Sequence, residues 1–183
     1  MIIQFVASAF IIIGCTYIGT YFGEKLSIRV LQLSNFQSAL EILKFNILFL
    51  NLPLAEALYK VSKSQPTSEK SRGSIGRIFK SMSVEISRSN AINGHSSVQN
   101  AWEISLAKER QKLNLSEEEI QTFAEFVSRL GSGDRDDQTG NIEITSAKLA
   151  VFETEARENA KKNTKLYRGL GLLSGLLIVI LLL

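Results

Sequence analysis

Apolar residues along this chain change their spacing twice. From Ile2 to Phe22 they run almost unbroken, interrupted by Gln4, Ser8, Thr16 and Thr20. A helix of about 21 residues rises roughly 30 Å, one bilayer core. Tyr17 and Tyr21 sit where an interfacial aromatic belt would lie. From about Leu166 to Leu183 the chain is apolar again, closing in Gly-Leu-Leu-Ile-Val-Ile-Leu-Leu-Leu. That ending is too apolar for a surface helix, although its length is near the lower limit for a span.

Between these ends the apolar positions step by three and four. Leu26, Val30, Leu33, Phe36, Leu40, Leu43, Ile47 and Leu50 mark one helical face, so the first span is expected to continue as one helix to about Asn51. Asn51-Leu52-Pro53 predicts a corner, with Asn51 as cap and Pro53 in the first turn of a helix over 53–64. Leu54, Ala57, Leu58 and Val61 share its apolar face. Residues 64–76 read as a loop. A helix over 75–89 presents Ile75, Ile78, Phe79, Met82 and Ile86, and a turn at Asn93-Gly94 follows. Ser96 or Ser97 opens a helix over 98–112 with Val98, Ala101, Trp102, Ser105 and Leu106 inward. Ser116-Glu117-Glu118-Glu119 is a capping box ahead of Ile120, Phe123, Phe126, Val127 and Leu130, with Gly131 as terminator. A last helix from about Asn141 runs through Leu149, Phe152 and Ala156 into the second apolar stretch. The reading is all-α: an antiparallel bundle of about six helices, its first and last helices continuing into two transmembrane segments. The expected domains are a transmembrane helix over 1–23, a cytoplasmic helical bundle over 24–165 and a second transmembrane helix over 166–183.

Charge sharpens this division. All 39 Asp, Glu, Lys and Arg residues fall within Glu24–Arg168. No basic residue precedes Ile2, as a cleaved signal peptide would require. Lys25 and Arg29 follow the first span, and Arg157, Lys161, Lys162, Lys165 and Arg168 precede the second, which places the middle in the cytoplasm and both termini on the opposite face. Residues 24–29 and 157–168 hold seven basic and two acidic side chains, whereas 30–156 hold 14 and 16. The basic excess is therefore a membrane-flank effect with lipid headgroups as counter-charge, and it does not indicate nucleic acid. Gly19 and Gly23 in the first span and Gly171 and Gly175 in the second are small-xxx-small pairs, suited to close helix packing within one chain or between subunits of an oligomer.

Catalytic constellations are missing from the pattern. His95 is the single histidine, in a serine-rich turn, and Cys15 is the single cysteine, inside the first span. No disulfide or thiolate metal site can be built from them. Gly73-Ser74-Ile75-Gly76 lacks the Lys-Ser/Thr ending of a phosphate loop. Asp134, Asp136 and Asp137 lack the glycine and bidentate glutamate of a calcium loop. Neither enzyme activity nor a cofactor is expected. Residues 103–156 carry twelve acidic and six basic side chains. Such an excess is a solvated helix face or a docking surface for a basic partner.

Several segments carry a resemblance. Pro53-Leu54-Ala55-Glu56-Ala57-Leu58, Ala101-Trp102-Glu103-Ile104-Ser105-Leu106, Leu130-Gly131-Ser132-Gly133-Asp134 with Gln138, and the Leu/Gly-rich stretch from Gly169 appear in order. Together they resemble the stage III sporulation protein AB family of endospore-forming bacteria. That resemblance implies a small relative of the platform proteins of type II secretion and type IV pilus machines. It implies a place in a channel complex between mother cell and forespore, with the body on the mother-cell side of the outer forespore membrane. The implied partners are a cytosolic secretion-type ATPase and other membrane and ring components. Glu56, Glu103, Glu117, Glu118, Glu119 and Asp134 are the candidate partner-binding residues. A membrane-anchored regulatory or sensor protein is the alternative reading.

Overall fold

The structure, a computed structural model, describes residues 2–65, 74–93, 98–131 and 135–182. The described residues form six α-helices: α1 Ile2–Leu48, α2 Leu54–Ser64, α3 Ser74–Asn93, α4 Val98–Glu109, α5 Glu117–Arg129 and α6 Arg135–Leu182. One 3-10 turn, Arg110–Lys112, follows α4, and no strand occurs among the described residues. The chain divides into two compact units, one of Leu31–Glu153 and one pairing Met1–Val30 with Thr154–Leu183.

In the first unit α3 packs on α2 and α4, and α4 packs on α5 and the 3-10 turn. The helical stripes read from the sequence meet here. Leu33, Leu40 and Leu43 of α1, Ala57, Leu58 and Val61 of α2, and Ile75, Ile78, Phe79, Met82 and Ile86 of α3 are all buried. An aromatic cluster joins four helices. Phe36 of α1 stacks on Phe123 of α5 with centroids 3.5 Å apart, and Phe79 of α3 meets Phe36 edge-on at 5.7 Å. Trp102 of α4 tilts against Phe123 at 6.3 Å. Burial of such rings dominates core energetics, and the edge-on contact adds specificity.

Buried side chains also secure the connections. Gln32, fully buried on α1, donates from Nε2 to the Lys112 carbonyl (3.0 Å) and accepts from the Asn114 amide (2.8 Å). One side chain thus satisfies two backbone groups of the α4–α5 connection. Ser83 Oγ donates to the Ala55 carbonyl at 2.8 Å, fastening α3 to the start of α2. Gln138 bridges the end of α5, donating to Arg129 O and accepting from Gly131 N, both at 3.1 Å. Gly131 turns the chain at φ +82°, a left-handed conformation that favours glycine.

Element boundaries differ from expectation at several places. Asn51 does not cap α2. It adopts φ +49° just after α1, and Leu52 N donates back to the Asn46 carbonyl at 3.2 Å, so Asn51 terminates α1. Helix α2 begins after Pro53 with no side-chain cap. Helix α3 continues to Asn93, beyond the expected stop. Helix α6 starts at Arg135 rather than Asn141, because its polar first turns are spent on the end of α5: besides Gln138, Asn141 Nδ2 donates to the Phe126 carbonyl at 3.0 Å. Of the loop expected over 64–76, Ser64 belongs to α2 and Ser74–Gly76 to α3; residues 66–73, and residues 94–97 with His95, lie outside the described residues.

Candidate functional site

Within the unit of Met1–Val30 and Thr154–Leu183, α1 and α6 meet along a glycine seam. A Cβ on Gly171 would stand 2.7 Å from the Cys15 carbonyl oxygen and 3.2 Å from Gly19 Cα. One on Gly19 would collide with the Tyr167 carbonyl oxygen, and one on Gly175 would stand 3.0 Å from Ile12 Cα. At Gly23 the neighbour is Thr164, whose Oγ1 donates to the Gly23 carbonyl at 3.3 Å. The four glycines therefore let two backbones of the same chain touch. By contrast Gly14 and Gly169, on the same helices, face open space.

The large apolar side chains of these helices point outward. Phe10 is 73% exposed, Ile13 66%, Ile180 73% and Leu181 78%. Small residues inside and large apolar ones outside is the inverse of a water-soluble core and suits lipid, where close backbone packing holds helices together. Among the described residues α6 is the one helix long and apolar enough to cross a membrane, and its apolar stretch is almost wholly exposed. At the inner end of the apolar stretches three rings lie together: Tyr21 meets Phe22 edge-on at 6.1 Å, and Phe22 meets Tyr167 at 6.1 Å. Lys25 Nζ sits 4.8 Å over the Tyr21 ring.

The six carboxylates singled out from the sequence have different fates in the structure. Glu119 is fully buried and is not a surface residue. Its Oε2 accepts from the Ser116 amide at 2.6 Å while the Ser116 hydroxyl accepts from the Glu119 amide at 3.2 Å, completing the capping box. Glu117 is exposed and ion-paired with Arg110. Glu118 is exposed on the same turn. Glu56 is exposed in the first turn of α2, 3.9 Å from Lys60, and Glu103 is exposed on α4. Asp134 lies outside the described residues.

Two features of the bundle went unnoticed in the sequence. Phe45 near the end of α1 and Phe49 just after it stack at 5.4 Å, 52% and 74% exposed. The signal was their spacing: they are four apart and out of register with Leu40, Leu43 and Ile47. Beside them Lys44 Nζ meets Glu143 of α6 at 2.7 Å, and that hydrogen bond raises the Lys44 pKa above the ordinary lysine value. The second is Glu109, nearly buried, held by Arg77 at 2.9 Å and Lys112 at 3.4 Å. No cluster of metal-ligating side chains occurs among the described residues.

Comparison with known proteins gives a consistent result. The chain matches the family model for stage III sporulation protein AB over residues 4–183. It is similar to stage III sporulation protein AB of Bacillus subtilis (strain 168), 28% identical over 182 residues, 98% of this chain and 99% of that protein. A solved structure of stage III sporulation protein AB (SpoIIIAB) is similar with a TM-score of 0.61 at 25% identity, covering 73% of this chain and 96% of the other.

Proposed function

This chain belongs to the stage III sporulation protein AB family, and from that premise we propose that it is a non-catalytic membrane platform in a sporulation channel complex, docking a cytosolic secretion-type ATPase. The observation that carries the reading is the course of α1 and α6. Each runs as a single helix from an uncharged apolar stretch into the residues of the bundle, Ile2–Leu48 and Arg135–Leu182. A protein that only needed an anchor would be served by one such leg. Two legs seamed by glycine, each continuous with a bundle helix, can carry displacement between an ATPase and the membrane.

In this reading both apolar stretches span the bilayer, the bundle is cytoplasmic and both termini lie on the far face. The basic flanks support that orientation. Exposed Glu56, Glu103, Glu117 and Glu118 offer negative charge to a basic partner, where complementary potentials speed encounter. Ring and membrane components of the channel would meet the legs or termini.

The test is co-purification of the membrane-embedded chain with the sporulation ATPase subunit. Charge reversal is made at Glu56 with Glu103 and, separately, at Glu117 with Glu118. Glu119 is left intact because it closes the capping box. Wild-type capture lost in one variant, with helicity retained by circular dichroism, supports the platform and locates its docking face. A folded, membrane-inserted wild type that captures no ATPase would refute it.

A further inference from the structure

Four positive charges on α6 have no counterpart among the described residues. Lys161, Lys162, Lys165 and Arg168 are exposed, and none of their side chains makes an ion pair or hydrogen bond to another described residue. No acidic residue follows Glu158 on α6. Their unit, Met1–Val30 with Thr154–Leu183, holds seven basic residues and three acidic ones, Glu24, Glu155 and Glu158, a net of +4. Of these acids, Glu155 and Glu158 on α6 lie farther from the apolar stretch than all four cations.

The level of these charges is fixed by the rings. Tyr21, Phe22 and Tyr167 are 49%, 49% and 39% exposed and form one aromatic group across α1 and α6. Arg168 follows Tyr167 directly on α6, and on α1 Lys25 reaches over Tyr21 four residues before it. Amphipathic rings settle at headgroup depth. From Arg168 to Lys161 the helix rises about 10 Å. The headgroup layer of one leaflet is roughly 5–8 Å deep, and lysine stems extend along the surface to reach it.

We propose that Lys161, Lys162, Lys165 and Arg168 form a binding surface for anionic phospholipid headgroups, at the level of the Tyr21–Phe22–Tyr167 rings. The inference rests on the reading of the two apolar stretches as membrane legs. The lysines act as point charges on headgroup phosphates, and Arg168 adds a two-pronged donor. Each cation near an anionic surface favours binding by about fivefold.

The experiment uses the full chain in nanodiscs of phosphatidylcholine mixed with phosphatidylglycerol, with retained lipids counted by native mass spectrometry. Wild type should retain phosphatidylglycerol over phosphatidylcholine in a ratio at least about fivefold above the bulk ratio. Lys161→Gln, Lys162→Gln, Lys165→Gln and Arg168→Gln together should return retention to the bulk ratio. Replacing the three lysines by arginine should preserve the enrichment. Bulk-ratio retention by wild type, or undiminished enrichment in the glutamine variant, overturns the proposal. Flotation with pure phosphatidylcholine vesicles separates the two levels. A chain that enters them but shows no phosphatidylglycerol enrichment overturns the lipid surface alone. A chain that fails to enter them overturns the membrane legs and the lipid surface together. Capture of a polyglutamate peptide through the same four residues, without lipid enrichment, assigns the surface to an acidic protein and overturns the proposal.

Discussion

Alanine at Gly171 tests whether the seam depends on the absence of a side chain. Its Cβ would stand 2.7 Å from the Cys15 carbonyl oxygen, where ordinary contact begins at 3.4 Å. The shortfall is about 0.7 Å, and the obstructing atom is helical backbone that cannot swing aside. Relief requires α1 and α6 to part, and a gap of roughly 0.5–1 Å forfeits a quarter to a half of each dispersion contact along the seam. Overpacking of this kind costs about 1–3 kcal/mol, against a gain of up to about 1 kcal/mol from helix propensity. Gly169 provides the control, since a Cβ there meets nothing within 4 Å on the same helix. Gly169→Ala collects the propensity gain without the clash. The two variants should therefore differ in seam stability by about 1–3 kcal/mol, with Gly171→Ala the weaker. In detergent micelles, titration with sodium dodecyl sulfate followed by circular dichroism reads that difference. The unfolding constant of Gly171→Ala should exceed that of Gly169→Ala by roughly 5- to 150-fold. Gly19→Ala should resemble Gly171→Ala. Equal unfolding constants for Gly171→Ala and Gly169→Ala would refute the close-approach argument.

Other consequences can be measured in the bundle. Phe36→Ala removes the ring at the centre of the aromatic cluster and should destabilise by about 3–5 kcal/mol, read by denaturant unfolding with Trp102 fluorescence, the chain's one tryptophan. Ser116→Ala should cost about 1 kcal/mol through the lost cap, while exposed Glu118→Ala stays within about 0.5 kcal/mol; the same titration compares them. Lys44 has its folded-state pKa raised by Glu143, so the pair's contribution is complete below 10.5 and is lost as pH climbs through the raised value. Lys44→Met should flatten the alkaline limb of the stability–pH curve, and wild-type and variant curves running parallel there would contradict the assignment.

Much of the helical plan was legible because its signal is local. The stripe Leu33–Phe36–Leu40–Leu43 and the faces of α2, α3 and α5 were read from period alone and are buried. The Ser116 capping box and the Gly131 stop were equally legible, since each is built from neighbours in the chain. What failed were residues whose role is decided by a distant partner. Gln138 fell outside the helix expected from about Asn141, because the carbonyls that both residues serve belong to α5. Gln32 carried no local mark of its clamp on Lys112 and Asn114. Among the candidate residues, the glycine spacing pointed to close packing, but only three dimensions set Gly19 against Gly171 in one chain. Glu119 shows the opposite error: an acidic run suggested surface charge, yet one member of it belongs to the interior.

The seam also has a history in time. Its hydrogen bond from Thr164 to Gly23 joins residues 141 apart, so α1 must be made long before its partner exists. At roughly 5–20 residues per second, synthesis leaves the glycine face of α1 uncovered for on the order of ten seconds. The helices from α2 to α5 emerge and can fold during that interval, while the first leg waits for the second. The last event in biogenesis is then the zippering of the end of α6 onto the start of α1. During the wait, α1 is open to any other small-faced helix, including the unpaired α1 of a neighbouring nascent chain.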